Sequence, residues 1–129
     1  MILEVAVLQV RTGQAAEFER AFARAQLIIA AMPGYVSHEL QRCLEVENKY
    51  LLLVRWEKLE DHTIGFRQSS QYQEWRKLLH HFYDPFPTVE HFESVRDGRS
   101  RRGRDEKREA SESVIPVKTG IQGNLTRPL

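Results

Sequence analysis

The fold class is decided by residues 49–56, which read KYLLLVRW. Apolar side chains occupy both alternating sets of this run. One set is Tyr50, Leu52, Val54 and Trp56, and the other includes Leu51 and Leu53. Because successive side chains of a strand point to opposite faces of its sheet, the run predicts a strand that is apolar on both faces.

The segments on the N-terminal side supply a hairpin partner and a second two-faced strand. Residues 35–43 read as a strand, and the polar turn at residues 45–48 joins it to residues 49–56, which favours antiparallel pairing. Residues 2–10 also read as a strand. Its faces carry Leu3, Val5 and Val7 on one side, and Ile2, Ala6, Leu8 and Val10 on the other.

Two segments with helical spacing alternate with these strands. The first follows the turn at Thr12-Gly13 and ends at Pro33, with a stripe formed by Phe18, Phe22, Ala25, Ile29 and Met32. The second begins near Lys58, with Leu59, His62, Thr63 and Phe66 on one side. A capping box of Ser70 and Gln73 then predicts a further helix with Tyr72, Trp75, Leu79 and Phe82 on its stripe. Residues 88–95 can form a last short strand.

The resulting order, β-α-β-β-α-β, predicts an α+β ferredoxin-like fold, with an antiparallel sheet and helices on one face. The other face of the sheet keeps the second apolar sets of the first and third strands. An uncovered apolar face of that size promotes association. We therefore expect a homodimer in which two sheets pack face to face, with two-fold symmetry.

Charge divides the chain into a domain at residues 1–95 and an extension at residues 96–129. The first part carries a net charge of −3 and the second +4. Residues 96–109 contain no apolar residue larger than Gly, so we expect the basic extension to be disordered. A weak polyanion-binding arm is the alternative, but interspersed acidic residues dilute its charge, and no nucleic-acid partner is predicted.

Composition indicates a cytoplasmic protein. The chain has one cysteine, which excludes an internal disulfide framework and a cysteine-based zinc finger. No apolar run approaches the roughly 18–20 residues of a membrane span, and the N-terminus does not read as a signal peptide. No membrane partner is expected.

Several short segments together resemble the antibiotic biosynthesis monooxygenase (ABM) domain family. They are Val10-Arg11-Thr12-Gly13-Gln14, Met32-Pro33-Gly34-Tyr35, Leu52-Leu53-Val54-Arg55-Trp56-Glu57, Leu59-Glu60-Asp61-His62 and Phe66-Arg67-Gln68-Ser69-Ser70-Gln71-Tyr72. The resemblance covers roughly residues 1–95. It implies a dimeric α+β barrel in which each subunit keeps a small pocket between sheet and helices. Its members include cofactor-independent monooxygenases that oxidise polycyclic phenols, haem-degrading enzymes, and enzymes acting on quinols.

The sequence departs from familiar patterns of that family. A His is common where Phe66 stands, and a Glu where Val54 stands. The Asn, Trp and His of the haem-degrading branch fall at Ala6, Phe66 and Arg76, so haem degradation is disfavoured.

Cofactor-independent oxygenation has definite chemical requirements. A phenol or enol must lose a proton, because only its electron-rich anion passes an electron to O₂. The site therefore needs a base with a pKa near the working pH, a donor for the developing oxyanion, and a dry aromatic pocket. No prosthetic group is expected.

His62 and His38 are the candidate catalytic bases, since the imidazole pKa is about 6.5. His62 lies on a stripe that should face the sheet. A packed histidine hydrogen-bonded to a backbone carbonyl is the structural alternative. His38 alternates with Val36 and Leu40, and lines the pocket only if that face of the strand meets the helices rather than a partner subunit.

Aromatic residues at strand and helix spacing are the candidate substrate-binding walls, although such sets are more often simply core. They are Trp56, Phe66, Tyr72 and Trp75, with Tyr50 or Tyr72 as a hydroxyl donor. No metal site is predicted, because His80 and His81 are adjacent on a helix and His91 with Glu93 is too common a spacing.

The sequence thus predicts an ABM-type monooxygenase that oxidises a small aromatic or quinol-like metabolite with O₂, with a histidine as general base. The alternative is a non-catalytic small-molecule-binding or stress-associated dimeric module of the same fold. A pocket of a few hundred cubic ångström that touches a His and a Tyr would favour the enzyme.

Overall fold

The computed structural model describes residues 1–98, and the predicted disorder of the extension falls almost entirely outside them. Within the described part, Met1–Ser94 form one compact unit. Its elements are β1 (Ile2–Gln9), α1 (Ala15–Ala30), β2 (Tyr35–Arg42), β3 (Lys49–Trp56), a π-helical segment (Asp61–Phe66), α2 (Ser70–Leu79), a 3-10 turn (His80–Phe82) and β4 (Val89–Glu93). No helix among residues 1–98 has the length and apolar character needed to cross a membrane.

The four strands form one antiparallel sheet in the order β2-β3-β1-β4. In the central register, Val5 of β1 lies opposite Leu53 of β3 on one side and Glu90 of β4 on the other. This order, with the two helical regions between the strands, confirms the predicted ferredoxin-like α+β fold.

Helices cover one face of the sheet, and the side chains on the other face are only partly buried. On the helix side, the side chains of β1 and β3 are buried: Ala6, Leu8, Tyr50, Leu52, Val54 and Trp56. On the opposite side, Leu3, Val5, Leu51 and Leu53 are half-buried, and Val7 is exposed over 40% of its surface. The two-faced alternation read from the sequence is therefore present, and the second face is apolar without being closed.

The helix α1 packs through the predicted stripe. Phe18, Phe22, Ala25 and Ile29 are all buried, at spacings of four, three and four residues. The centres of the Phe18 ring and the Tyr50 ring on β3 are 4.9 Å apart, so this stripe packs against the sheet at the start of β3. The helix ends at Ala30, before Pro33, as the lack of a proline N–H requires.

The start of α2 differs from the prediction by one residue. The N-cap is Ser69, whose Oγ accepts a hydrogen bond from the Tyr72 backbone N–H at 3.1 Å, whereas the capping box was placed at Ser70. Either serine can cap a helix, so the sequence does not separate them. The buried residues of α2 are Trp75 and Leu79, both on the predicted stripe.

A close contact between Gly34 and Asp61 sets the start of the π-helical segment. Gly34 has φ +85°, and a Cβ placed on it would overlap the Asp61 side chain. Asp61 Oδ2 accepts a hydrogen bond from the Lys58 N–H at 3.0 Å, and the Gly34 carbonyl accepts one from the Glu57 N–H at 2.8 Å. The loop after β3 is therefore held against the end of β2, and the residue that follows Asp61 is directed into the core.

We expect Gly34→Ala to destabilise the fold more than Gly13→Ala. Both glycines have positive φ, at 85° and 82°, which costs an alanine about 1–2 kcal/mol. Only Gly34 faces a side chain, since nothing lies within 4 Å of a Cβ added at Gly13. The overpacking at Gly34 should add about 1–3 kcal/mol to the loss of unfolding free energy, measured by urea titration. Equal losses in the two variants would show that Asp61 moves aside freely.

Candidate active site

A cavity of about 210 Å³ lies between the sheet and the segment that runs from the π helix to β4. Its floor comes from β1 and β3, and its walls come from the π-helical segment, α2 and the loop before β4. The residues around it are mostly apolar or aromatic, with a few polar groups: Glu4, Ala6, Leu8, Leu52, His62, Phe66, Arg67, Tyr72, Trp75, His80, Tyr83, Phe86, Pro87 and Val89. Such a composition is typical of small-molecule sites.

Glu4 places a carboxyl group in the floor of this cavity. The residue is only 5% exposed, although it is charged in water. Its Oε1 accepts a hydrogen bond from the Trp56 indole N–H at 2.9 Å and lies 3.4 Å from Nε2 of His62. Burial raises the pKa of Glu4 to about 7, despite the opposing effects of the Trp56 hydrogen bond and the positive charge of Arg67.

His62 is the second member of this polar group. The π-helical segment turns it into the core, where it is 3% exposed and stacks on Trp56 with ring centres 5.5 Å apart. Its Nδ1 lies 2.8 Å from Nε2 of His91 on β4. Burial lowers the pKa of His62 to about 3, and the charges of Arg67 and His91 act in the same direction. The imidazole is therefore neutral near pH 7.

Two tyrosines line the same cavity, Tyr72 and Tyr83. Tyr83 is 6% exposed, and its hydroxyl makes no hydrogen bond with any other residue of the described chain. Burial and the neighbouring Tyr72 raise the pKa of Tyr83, so its hydroxyl keeps its proton and remains a donor. The Tyr72 hydroxyl likewise has no partner among residues 1–98. A buried hydroxyl without a partner costs free energy, which a bound acceptor atom would recover.

Four of the residues predicted for the site line this cavity. They are His62, Phe66, Tyr72 and Trp75. The Phe66 ring lies 5.2 Å from that of Tyr72 and 5.6 Å from that of Trp75, in edge-to-face arrangements. Trp56 lies behind them and contacts Glu4 and His62 rather than the cavity itself.

The other two predicted residues lie elsewhere. His38 is on the helix-covered face, which the sequence left open, but its Nε2 hydrogen-bonds Gln26 Oε1 at 2.8 Å and its Nδ1 hydrogen-bonds the Tyr35 hydroxyl. Tyr50 donates its hydroxyl to Glu19 on α1 at 2.6 Å. Neither lines the cavity, because β2 and the start of β3 lie under α1 rather than under α2.

Glu4, His91 and Tyr83 are the site residues that the sequence reading missed. Glu4 has a signal of its own, because it is the one charged residue in the inward set of β1 that otherwise contains Ile2, Ala6 and Leu8. The approach of His91 to His62 depends on how β4 pairs with β1, with His91 opposite Glu4. Within residues 1–98, no three His, Cys, Asp or Glu side chains are grouped as metal ligands.

Comparisons with known proteins agree with this fold. The sequence model of the family described as antibiotic biosynthesis monooxygenase matches residues 1–78, which include Glu4 and His62. YczJ of Bacillus subtilis strain 168, named an uncharacterized protein, is 59% identical over 95 residues, or 74% of this chain and 100% of that protein.

Solved structures show the same architecture. A Bordetella bronchiseptica protein named for an antibiotic biosynthesis monooxygenase is 36% identical, with a TM-score of 0.71, over 74% of this chain and 97% of its own. SnoaB from Streptomyces nogalater, a cofactor-independent oxygenase, is 27% identical with a TM-score of 0.57, over 75% of this chain and 94% of its own.

From the shifted pKa values of Glu4 and His62 we predict two opposing effects of pH on the stability of the fold. Because the pKa of Glu4 is raised from 4.5 to about 7, its contribution to stability falls as the pH rises through that range. Because the pKa of His62 is lowered from 6.5 to about 3, its contribution rises between those values. The two effects oppose each other between about pH 4.5 and 6.5.

Glu4→Gln should remove the contribution of Glu4, which falls with rising pH, and keep the contribution of His62. The unfolding free energy of the variant, relative to the parent, should then rise between pH 4.5 and 7 by up to about 1.4 kcal/mol per pH unit. Chemical denaturation at a series of pH values measures this difference. Glu90→Gln, at an exposed position on β4, is the control and should run parallel to the parent. A Glu4→Gln curve parallel to the parent would show that Glu4 titrates normally.

Proposed function

This chain belongs to the antibiotic biosynthesis monooxygenase family, and from that premise we propose that it is a cofactor-independent monooxygenase acting with O₂ on a small aromatic or quinol-like metabolite. The observation that carries the proposal is the buried Glu4–His62 pair in the floor of an aromatic cavity. The pair offers a proton acceptor where little water competes. SnoaB, a cofactor-independent oxygenase, is similar in fold and sequence and supports the reaction class.

In the proposed first step, the Glu4 carboxylate removes a proton from a phenol or enol of the substrate. A base with a pKa of about 7 is well matched to this task near neutral pH. His62 was predicted to be the base, but with a pKa of about 3 it is a weak one by itself. It acts here as the partner of Glu4, with its Nε2 3.4 Å from the carboxyl Oε1.

The substrate anion then reacts with O₂. It passes one electron to O₂, and the resulting superoxide and substrate radical combine to form a carbon–oxygen bond. The peroxide takes up a proton, and the carbon that carries it loses its remaining hydrogen as a proton. The O–O bond breaks, so that one oxygen stays as a carbonyl and the other leaves as water. Overall, a CH₂ group and O₂ give C=O and H₂O.

The tyrosine hydroxyls supply the donors that this chemistry requires. Tyr83 and Tyr72 can each donate a hydrogen bond to the oxygen on which negative charge develops. The Tyr83 hydroxyl makes no other hydrogen bond within the described chain. Phe66 and Trp75 give flat walls for a ring. A cavity of 150 Å³ holds benzene, so about 210 Å³ suits one substituted ring or a small fused pair.

The functional unit of the proposal is a homodimer of residues 1–95 in the cytoplasm, paired through the second face of the sheet. The half-buried residues Leu3, Val5, Leu51 and Leu53 would be closed by the same residues of an identical subunit. The 95-residue length of the YczJ match supports the domain limit, with residues 96–129 as an extension. The chain has a single cysteine, Cys43, a usage that supports a reducing compartment.

Oxygen uptake with a panel of hydroquinones, naphthols and anthrones tests the reaction. The parent's kcat/KM should rise with pH and level off above about pH 7, because the base must be deprotonated. At pH 8, Glu4→Gln should lower kcat/KM by about 10²–10⁴, the usual contribution of a general base. Tyr83→Phe should lower it by about 10²–10³, the usual contribution of an oxyanion donor.

Two substitutions outside the cavity and away from the second face of the sheet serve as matched controls: Glu17→Gln, at an exposed position of α1, and Tyr35→Phe. Both should retain the parent's activity. Equal rates for Glu4→Gln and the parent would contradict the assignment of the base. Ligand binding to the parent without O₂ uptake for any compound in the panel would favour the non-catalytic binding module instead.

The proposed dimer is tested by light scattering at micromolar concentration. The parent should have the mass of two 15.1-kDa chains. Leu53→Glu should dissociate it, because each copy would place an unpaired carboxylate in the apolar interface. Leu27→Glu makes the same change on α1, where the leucine is 70% exposed, and should leave the mass unchanged. A single-chain mass for the parent would contradict the proposal.

A further inference from the structure

We infer that Glu4, His62 and His91 form a proton relay that connects the buried carboxyl group with solvent at the β4 edge of the sheet. The inference rests on the proposed function in one respect, namely that Glu4 is the group that exchanges protons with the substrate. Otherwise it depends only on the geometry of the three side chains, and it assigns His91 a role as a proton-transfer and positioning residue.

The three groups lie in series across three elements, with a charge-pair contact between the first two and a hydrogen bond between the last two. Glu4 Oε1 on β1 lies 3.4 Å from His62 Nε2 in the π-helical segment, and His62 Nδ1 lies 2.8 Å from His91 Nε2 on β4. Each imidazole therefore has one nitrogen toward the preceding group and one toward the next. His91 is half-buried, and its Nδ1 has no partner among residues 1–98, so it can contact water.

Only two arrangements of hydrogens satisfy both contacts with neutral imidazoles. When Glu4 is ionised, His62 donates its Nε2–H to the carboxylate and accepts at Nδ1 from the Nε2–H of His91. When Glu4 carries a proton on Oε1, it donates to His62 Nε2, and His62 Nδ1–H donates to His91 Nε2. A neutral imidazole has one N–H and one acceptor nitrogen. Donor and acceptor are therefore exchanged in both contacts at the same time.

Conversion between the two arrangements moves one proton across the series. Glu4 gives its proton to His62 Nε2, His62 Nδ1 gives one to His91 Nε2, and His91 Nδ1 gives one to water. No bond other than these N–H and O–H bonds changes, and no charge remains on either imidazole. Glu4 can thus return to its ionised form without water entering the cavity.

Charged and titratable neighbours keep the imidazoles neutral. Burial lowers the pKa of His62 and of His91, and the positive charge of Arg67, which follows the π-helical segment, acts in the same direction. Across the cavity, His80 has a pKa lowered by burial and by Arg76. Tyr72 and Tyr83 are the other titratable residues on that side of the cavity, and burial raises the pKa of Tyr83.

The series also distinguishes His91 from the other histidines. His80 and His81 make no side-chain hydrogen bond within the described chain. His38 hydrogen-bonds Gln26, whose amide cannot pass a proton onward by changing tautomer. His91 is the histidine that hydrogen-bonds His62, and His62 lines the cavity.

Long-range ¹H–¹⁵N spectra of histidine-labelled full-length protein test the relay without any substrate. Between pH 5 and 9, the ring proton of His62 and that of His91 should both move from Nδ1 to Nε2 as Glu4 ionises. In Glu4→Gln, His62 should keep the Nδ1–H form throughout, because the new amide donates to Nε2. A single His62 tautomer across the range in the parent, or a doubly protonated His62 below pH 7, would overturn the relay.

Substitution of His91 separates a relay from a merely structural contact. His91→Gln keeps a donor and an acceptor near His62 but cannot pass a proton on, so exchange between the two His62 forms at pH 7 should slow at least tenfold. The control His81→Gln changes an exposed histidine and should leave the rate unchanged. An unchanged rate in His91→Gln would also overturn the proposal. Failure of the oxygen-uptake assay with an intact tautomer change would reject the reaction alone.

Discussion

The burial of one carboxyl group, that of Glu4, determines the chemistry available to this protein. A carboxylate moved away from water either finds a compensating charge or keeps its proton, and the pKa of about 7 shows the second outcome. Burial outweighs the Trp56 indole N–H, which donates to Glu4 and favours its ionised form, and the imidazole beside the carboxyl group is neutral. The same burial that raises the pKa of Glu4 lowers that of His62, so one environment sets both protonation states.

The fold was largely predictable because its determinants are local and periodic. Alternation in residues 49–56 and 2–10 identified two strands with two apolar faces, and the three- and four-residue spacing from Phe18 to Ile29 identified α1. These patterns depend on the geometry of single elements, which hydrophobic burial preserves. The helix cap shifted by one residue because adjacent serines compete for the same role.

The site was predictable only in part, because it joins residues that are distant in sequence. His62 and Phe66 were identified from a helical stripe that also included Leu59, but Leu59 is 39% exposed and precedes the π-helical segment that holds the other two. A π-helical turn changes which side chains share a face, and no propensity rule in one sequence specifies it. Likewise, 29 residues separate His62 from His91, and only the pairing of β4 with β1 brings them together.

The central claim is that Glu4 remains protonated in the folded protein well above the usual carboxyl range, and infrared difference spectroscopy tests it directly. The spectrum of the parent minus that of Glu4→Gln isolates the carbonyl stretch of this one group. At pH 5.5 we expect the band of a protonated carboxylic acid, replaced by the carboxylate bands with a midpoint near pH 7. Carboxylate bands alone at pH 5.5 would contradict the account.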